Sequence, residues 1–488
     1  MKGIKGFSIK GIKNIRESFK TRQVKYGGYA TLITLAVIVG LILLNLLAGQ
    51  LKTLQVDLTE SKLFSLSEQT IQVLDQVNTP VVFYGLWRPG MENQNVMPVI
   101  NLYLSKNRNI RLDVIDPEKN PGFVMRYDKE RKGIPWGSLI VEGDKGFKII
   151  SPQDMYDFTQ MQQGGSSVTG IAAERRITSA LLYVGTGTTP IVYETTGHDE
   201  IPLSNLGLVD TVERENYALN SVNLLVSPVP SNAAGLVINY PRRDISSGEA
   251  EKLLDYLESG GRLLIMADYI ARDLGNLNTV LASYGVKLDY GIVHEADPNY
   301  YTMDPRLSIP DMADHDITKP LADKSRTPVV LPMPLSISTL DTKKRTTEVT
   351  PLMTTSPKAF LRTNLDETST TRVSSDIPGP LTLGVAIKEP SWIQNNEPQA
   401  RIVIIGSGSI LPFYAQYGME GNRDLFMNSF AWMQDRPETI SVRSKSLFLL
   451  PLRLNMVQII IFGALFIFII PVAFFVSGLV TWLRRRHL

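Results

Sequence analysis

The chain has 488 residues, no cysteine and four histidines, His198, His294, His315 and His487. Its length allows roughly two to four domains. The missing thiols exclude a disulfide framework, a Cys-ligated zinc and a thiol nucleophile, and scattered imidazoles argue against a His-rich metal site. Net charge is +2, but residues 1–25 carry +7 and Arg484, Arg485 and Arg486 carry +3, which leaves −8 for the stretch between. Basic ends around an acidic middle point to membrane topology and not to nucleic-acid binding.

In residues 1–25, Ile9, Ile12, Ile15 and Phe19 recur at three- and four-residue steps among Lys and Arg. This predicts a basic amphipathic helix on the anionic inner leaflet, or a basic tail that only sets topology. Residues 26–51 form an uncharged run of 26, long enough to span the bilayer as a first transmembrane helix. No small-x-small cleavage pattern is clear after Ala48-Gly49, which argues for an uncleaved anchor over a signal peptide. Residues 454–483 form a second uncharged run, of 30, with Pro471 inside it as an expected kink. The Lys/Arg excess outside both runs places both termini in the cytoplasm, including the tail 484–488, and residues 52–453 outside it. Gly463, Ser477 and Gly478, with Pro471, are candidates for contact with a partner helix, because small residues let helices approach closely in lipid.

Residues 52–160 read as a first extracytoplasmic domain. Ser67 is placed to cap a helix, Pro80–Leu86 is a strand, helix-forming sequence follows near 96–106, and IRLDVID at 110–116 is the next strand. KGIPWGSLIVEGDKGFKII then reads as strand, Asp144-Lys145-Gly146 turn, strand. This order, with Ile134-Pro135 before the hairpin, resembles a thioredoxin-like fold, in which that proline is commonly cis. The redox site of that fold would fall at Trp87-Arg88-Pro89-Gly90, where no Cys-x-x-Cys exists, so thiol–disulfide chemistry is excluded.

Residues 161–436 read as a second, doubly wound α/β domain, joined by a linker at 437–453 to the second span. QQGGSSVTG reads as a loop and AERRITSALLYV as a helix. Gly235–Ile238 is a buried strand, Ser246 and Glu249 form a capping-box pattern, and Ala250, Leu253, Leu254 and Leu257 make one apolar helix face. Gly260-Gly261 ends that helix and Arg262–Ala267 is the next strand, a unit that builds a parallel sheet. A last strand is expected at 400–410 and a helix at 424–433, while the Thr-, Ser- and Pro-rich 340–398 reads as loops and edge strands.

The strand at 192–195 runs into Thr195-Thr196-Gly197-His198-Asp199-Glu200. Ligands in doubly wound folds bind outside the carboxyl ends of strands, so Thr196, Gly197, His198 and Glu200 are candidate ligand-binding residues. The parts of a mechanism are missing: there is no G-x-S-x-G elbow and no phosphate loop, and GSGS at 406–409 is only a weak Gly-rich turn. No catalytic residue, metal ligand or cofactor is therefore assigned, and a structural role for the polar cluster is the competing reading.

Several segments together resemble the GldG-like family of auxiliary subunits of bacterial, gliding-motility-associated ABC transporters. They are VDLTESKLFSLSEQT (56–70), AERRITSALLYV (173–184), TTGHDE (195–200), GLVINYPRRDISSGEAEKLLDYLESGGRLLIMAD (235–268), NLNTVLASYGVKLDYGIVHE (276–295) and RIVIIGSGSI…GNRDLFMNSFAWM (401–433). The resemblance implies a non-catalytic extracytoplasmic subunit with thioredoxin-like and class I amidotransferase-like (flavodoxin-like) folds. Its expected partners are an ABC permease, an ABC ATPase, the lipid bilayer of the bacterial inner membrane and a second copy of itself. The family's motif usually ends Gly-His-Gly-Glu. Here Asp199 replaces the second Gly, which leaves open what that glycine's backbone does. An anchored hydrolase using His198 and Glu200, or a glycan-binding scaffold, are the alternatives.

Overall fold

The computed structural model describes residues 22–50, 65–129, 131–160, 166–269, 274–324, 328–369, 371–390, 399–435, 445–446 and 456–486. The expected amphipathic segment lies outside them as far as residue 21, as does nearly all of the expected linker. The chain divides into two compact units, Met1–Leu63 and Phe64–Leu488.

In the first unit, α1 (Arg22–Gln50) has an apolar described stretch at Thr31–Leu44. Among the described residues one helix is long and apolar enough to cross a membrane, Ile460–Arg484. Of the two expected spans, this criterion supports the C-terminal one.

The second unit opens on a four-stranded sheet. Helix α2 (Glu68–Gln76) starts where the Ser67 side chain accepts from the Thr70 amide at 3.2 Å, as its sequence predicts. Then come β1 (Val81–Gly85), α3 (Met97–Lys106), β2 (Ile110–Val114), α4 (Pro121–Tyr127), β3 (Leu139–Gly143) and β4 (Gly146–Ile150). The sheet order is β2-β1-β3-β4, with β1 parallel to β2 and antiparallel to β3. A hairpin, β5 (Tyr156–Gln160) with β6 (Ser166–Ile171), leads into α5 (Ala173–Thr186). Part of QQGGSSVTG is therefore strand and not loop: pairing with β5 satisfies its backbone, which overrides the turn signal of its glycines. Phe83, Ile100, Leu139, Ile177 and Leu181 are buried in one core, which reaches as far as Val184. Within it the Tyr103 hydroxyl donates to the Glu174 carbonyl at 2.9 Å, and burial raises its phenol well above the ordinary tyrosine value. The one cis peptide bond among the described residues is Gly379–Pro380, so Ile134–Pro135 is trans, unlike the bond the thioredoxin-like comparison favours.

An eight-stranded sheet follows. Its members are β7 (Ile191–Thr195), then after α6 (Val209–Arg214) β8 (Ala218–Val222), β9 (Ala233–Asn239), after α7 (Ser247–Glu258) β10 (Arg262–Met266), and after α8 (Gly275–Ala282) β11 (Asp311–Met312), β12 (Glu348–Thr354), β13 (Thr382–Pro390) and β14 (Gln399–Ile405). The order is β11-β12-β13-β14-β10-β9-β7-β8. From β14 to β8 every neighbouring pair is parallel, and from β14 to β11 every pair is antiparallel. The sheet is therefore mixed, and residues 340–398 supply inner strands where loops and edges were expected. Leu383, Val385, Ala386 and Ile387 are all at most 2% exposed, because β13 is covered on both faces. Its glycine, which lowers strand propensity, is needed for packing: a Cβ at Gly384 would stand 2.4 Å from Met353 Cε.

Two helical layers cover this sheet. Leu208 and Val212 beside α6, Leu411 of α9 (Ile410–Tyr417) and Phe426 and Phe430 of α10 (Glu420–Met433) fill one face. Leu253 and Leu257 of α7 and Leu277, Val280 and Leu281 of α8 fill the other. Each such fully buried side chain contributes about 1.5–3 kcal/mol. The chain ends in α11 (Met456–Ala464), a π-helical turn at Leu465–Ile469 and α12 (Ile470–Arg486). Pro471 has no N–H and its ring crowds the preceding turn, so the widened turn lies where the sequence predicts a kink.

Candidate functional site

The polar cluster at 195–200 sits at the carboxyl end of β7, which lies between β8 and β9. Taken in sequence, the parallel strands have the order 2-1-3-4-5, and the crevice between the first and third is where such sheets reverse direction. The Thr196 amide donates to the Val222 carbonyl at 2.9 Å and ties the loop to β8. On the other side the Arg242 amide donates to the His198 carbonyl at 2.9 Å and ties it to the segment after β9.

Between these ties the side chains close on one another. His198 is only 6% exposed. Its Nδ1 stands 3.3 Å from Glu200 Oε1 and its Nε2 3.2 Å from Glu249 Oε2. Glu200 Oε1 also accepts from Thr195 Oγ1 at 3.0 Å, and its Oε2 from the His198 amide at 2.6 Å. Glu249 completes the capping box of α7: its Oε2 accepts from the Ser246 amide at 2.8 Å, and the Ser246 side chain accepts from the Glu249 amide. Both ring nitrogens are therefore engaged with carboxylate oxygens inside the cluster. Among the described residues no group of three or more His, Asp or Glu side chains is placed to hold a metal ion.

Asp199 adopts φ +58, left-handed backbone that glycine takes without strain and Asp tolerates better than most residues. A glycine here, as in the motif that TTGHDE resembles, would take this conformation without strain, and the aspartate adds a bond, accepting from Arg243 Nη2 at 2.7 Å on the surface. Gly197, at φ +123, is exposed beside Asn223. Of the candidate ligand residues, Gly197 is exposed and Thr196 half-buried, while His198 is buried and the Glu200 carboxylate is engaged within the cluster.

The sequence missed the partner that completes the cluster. Glu249 was legible as a helix cap, but its approach to His198 requires β9 to lie beside β7. It also missed a neighbouring group. Ser409, closing GSGS, donates to Asp268 Oδ2 at 2.9 Å, next to Tyr240 at φ +57. A Cβ at Gly408 would stand 2.3 Å from the Tyr240 ring, so this glycine is required by close approach. Burial, and then the Asp268 carboxylate, push the Tyr240 and Tyr269 phenols up.

The candidate membrane-contact residues lie apart from this site. A Cβ at Gly463 or Gly478 would meet nothing within 4 Å, and Ser477 Oγ donates to the Phe474 carbonyl of its own helix at 2.9 Å.

No curated protein matches the chain. Among solved structures, the mmIFT52 N-terminal domain is 15% identical, with a TM-score of 0.36 over 50% of this chain and 97% of that one. Exo-beta-1,4-mannosidase Op5Man5 from Opitutaceae bacterium strain TAV5 is 10% identical, with a TM-score of 0.28; the match covers 69% of this chain and 48% of the mannosidase, so the chain spans about half of that enzyme's length. Residues 190–429 match the family model described as "ABC-type uncharacterized transport system". The matched segment begins one residue before β7 and ends inside α10, and so takes in the whole eight-stranded sheet. Over those residues the chain is similar to the auxiliary components of ABC-type transport systems, and the match supports an accessory role in such a system.

Proposed function

We propose that this chain is a non-catalytic, GldG-like accessory subunit that couples an ABC permease and its ATPase to a task outside the cytoplasmic membrane. The family match over 190–429 carries this reading. The closed cluster around His198 supports the non-catalytic part: its polar groups cap a helix and join two loops. The strand order β2-β1-β3-β4 supports a thioredoxin-like domain near 52–160, and the order 2-1-3-4-5 of the parallel strands supports a flavodoxin-like one within 161–436. Thr196 and exposed Gly197 remain the part of TTGHDE open to a ligand or a neighbouring subunit. The apolar runs 26–51 and 454–483 are read as two spans with both termini inside, and Gly463, Pro471, Ser477 and Gly478 as the face that meets the permease.

The test is recovery of partners. The full chain, extracted in detergent after cross-linking in cells, is expected to bring down a multi-span permease and an ATPase identified by mass spectrometry. Gly463→Leu or Gly478→Leu is expected to reduce permease recovery more than Arg243→Ala does. Purification of the wild-type protein alone, with neither partner recovered, overturns the proposal. Topology is tested separately: the chain has no cysteine, so Lys145→Cys in the exposed β3–β4 turn gives a single label. It should react with an impermeant thiol reagent without lysis of the inner membrane.

A further inference from the structure

A cavity of about 280 Å³ lies between the β5–α5 region and helices α6 and α10, just below the usual range of ligand sites and of a size for a small ligand only. Four arginines and five carboxylates line it. The start of α5 and the end of α6 form one side. There Arg176 Nη1 pairs with Glu215 at 2.9 Å, Arg175 with Asp157 at 3.0 Å and Arg214 with Asp154 at 2.9 Å. The Arg176 Nε–H is buried and has no acceptor. Helix α10 forms the other side, where Arg423 pairs with Glu420 and, at 2.9 Å, with Asp424.

The first side holds a buried guanidinium N–H without an acceptor, and the second sets two carboxylates, Glu420 and Asp424, against the single guanidinium of Arg423. Burial, and then the neighbouring Arg175, push the Arg176 guanidinium down to about 10, with Glu215 opposing the shift. On α10, burial raises the Glu420 carboxyl above its ordinary value, Arg423 opposing and Asp424 adding to the shift. An anion alone relieves the first side and is repelled by the carboxylates; a cation alone does the reverse. A small molecule bearing both charges suits both, and near-balanced lining charge leaves little net field to favour a singly charged ion.

We propose that this cavity binds a small zwitterion of the α-amino acid class, its carboxylate toward Arg176 and its ammonium toward Glu420 and Asp424. Tyr217 and Tyr414 line the remainder and offer ring surface to the side chain. This inference does not rest on the accessory role proposed above.

The experiment uses the full chain in detergent, thermal unfolding and titration calorimetry, and the standard L-amino acids as single probes. At least one is expected to raise the unfolding midpoint and give saturable heat, while its N-acetyl derivative, its carboxamide and inorganic phosphate do not. Arg176→Lys, which keeps the charge but loses the Nε donor, and Glu420→Gln are each expected to weaken binding about tenfold or more. Asp199→Gly, at the other cluster, is expected to leave it unchanged. If Arg176→Lys does not fold, Glu420→Gln decides. Absence of binding by every amino acid, equal binding of the blocked derivatives or of phosphate, or undiminished binding by Glu420→Gln overturns the proposal and leaves the cavity an ion-paired seam.

Discussion

The His198 cluster and the Arg176–Glu420 cavity are both built from buried charge, yet they are arranged in opposite ways. At His198 two carboxylates enclose one imidazole, and helix capping and backbone amides use most of the remaining valences, with Glu249 Oε1 buried without a donor. At Arg176 a donor is left without an acceptor, two ionisable groups are held away from their ordinary values, and there is volume between them. The contrast teaches that a position at strand ends does not by itself make a site. Spare hydrogen-bonding capacity beside open space is the stronger sign.

That contrast has consequences in order of size. Glu249→Ala should have the largest effect, since it removes the N3 member of the capping box and leaves His198 facing one carboxylate. A loss of about 3 kcal/mol is expected in denaturant unfolding of the full chain in detergent. A loss below about 1 kcal/mol would show that the cluster is not a structural lock. His198→Ala is next, at about 2 kcal/mol, because the Glu200 and Glu249 carboxylates then lose the donor between them. If Thr196 and Gly197 alone offer the loop's binding surface, this variant keeps partner recovery while losing stability.

The cavity predicts a pH effect. Glu420 titrates above its ordinary 4.5 in the folded state, so the folded state favours its protonated form. Its contribution to stability is full below 4.5 and is lost as pH rises through the raised value. Stability curves of wild type and Glu420→Gln should therefore converge or cross with rising pH in that window, the wild type losing more. Parallel curves would remove Glu420 from the comparison. The smallest effect concerns Asp199. Asp199→Gly should lie within about 1 kcal/mol of wild type, relief of left-handed strain offsetting an exposed ion pair, while Asp199→Ala should be the less stable of the two.

Much of the stretch 161–436 was legible because local rules decide it. Ser246 and Glu249 mark a helix start through spacing alone, and the structure has the full capping box. The apolar runs at 235–238 and 262–267 fall on the parallel strands β9 and β10. The reading failed at β13, where Gly384, flanking prolines and many threonines suggest a loop. Burial between β12 and β14 outweighs those preferences, and burial by distant strands leaves no local signature.

The same division runs through the candidate sites. Sequence by itself determined that no thiol chemistry operates, that the C-terminal apolar run is long enough to span a bilayer, and that TTGHDE ends a strand. These follow from composition, length and periodicity, which are properties of one segment at a time. Tertiary structure alone decided that Glu249, 51 residues away, faces His198, and that Arg176 and Glu420, from helices α5 and α10, line one cavity. Those juxtapositions depend on strand order and helix packing, and the charges that meet there carry no mark in the sequence of the partner they will find.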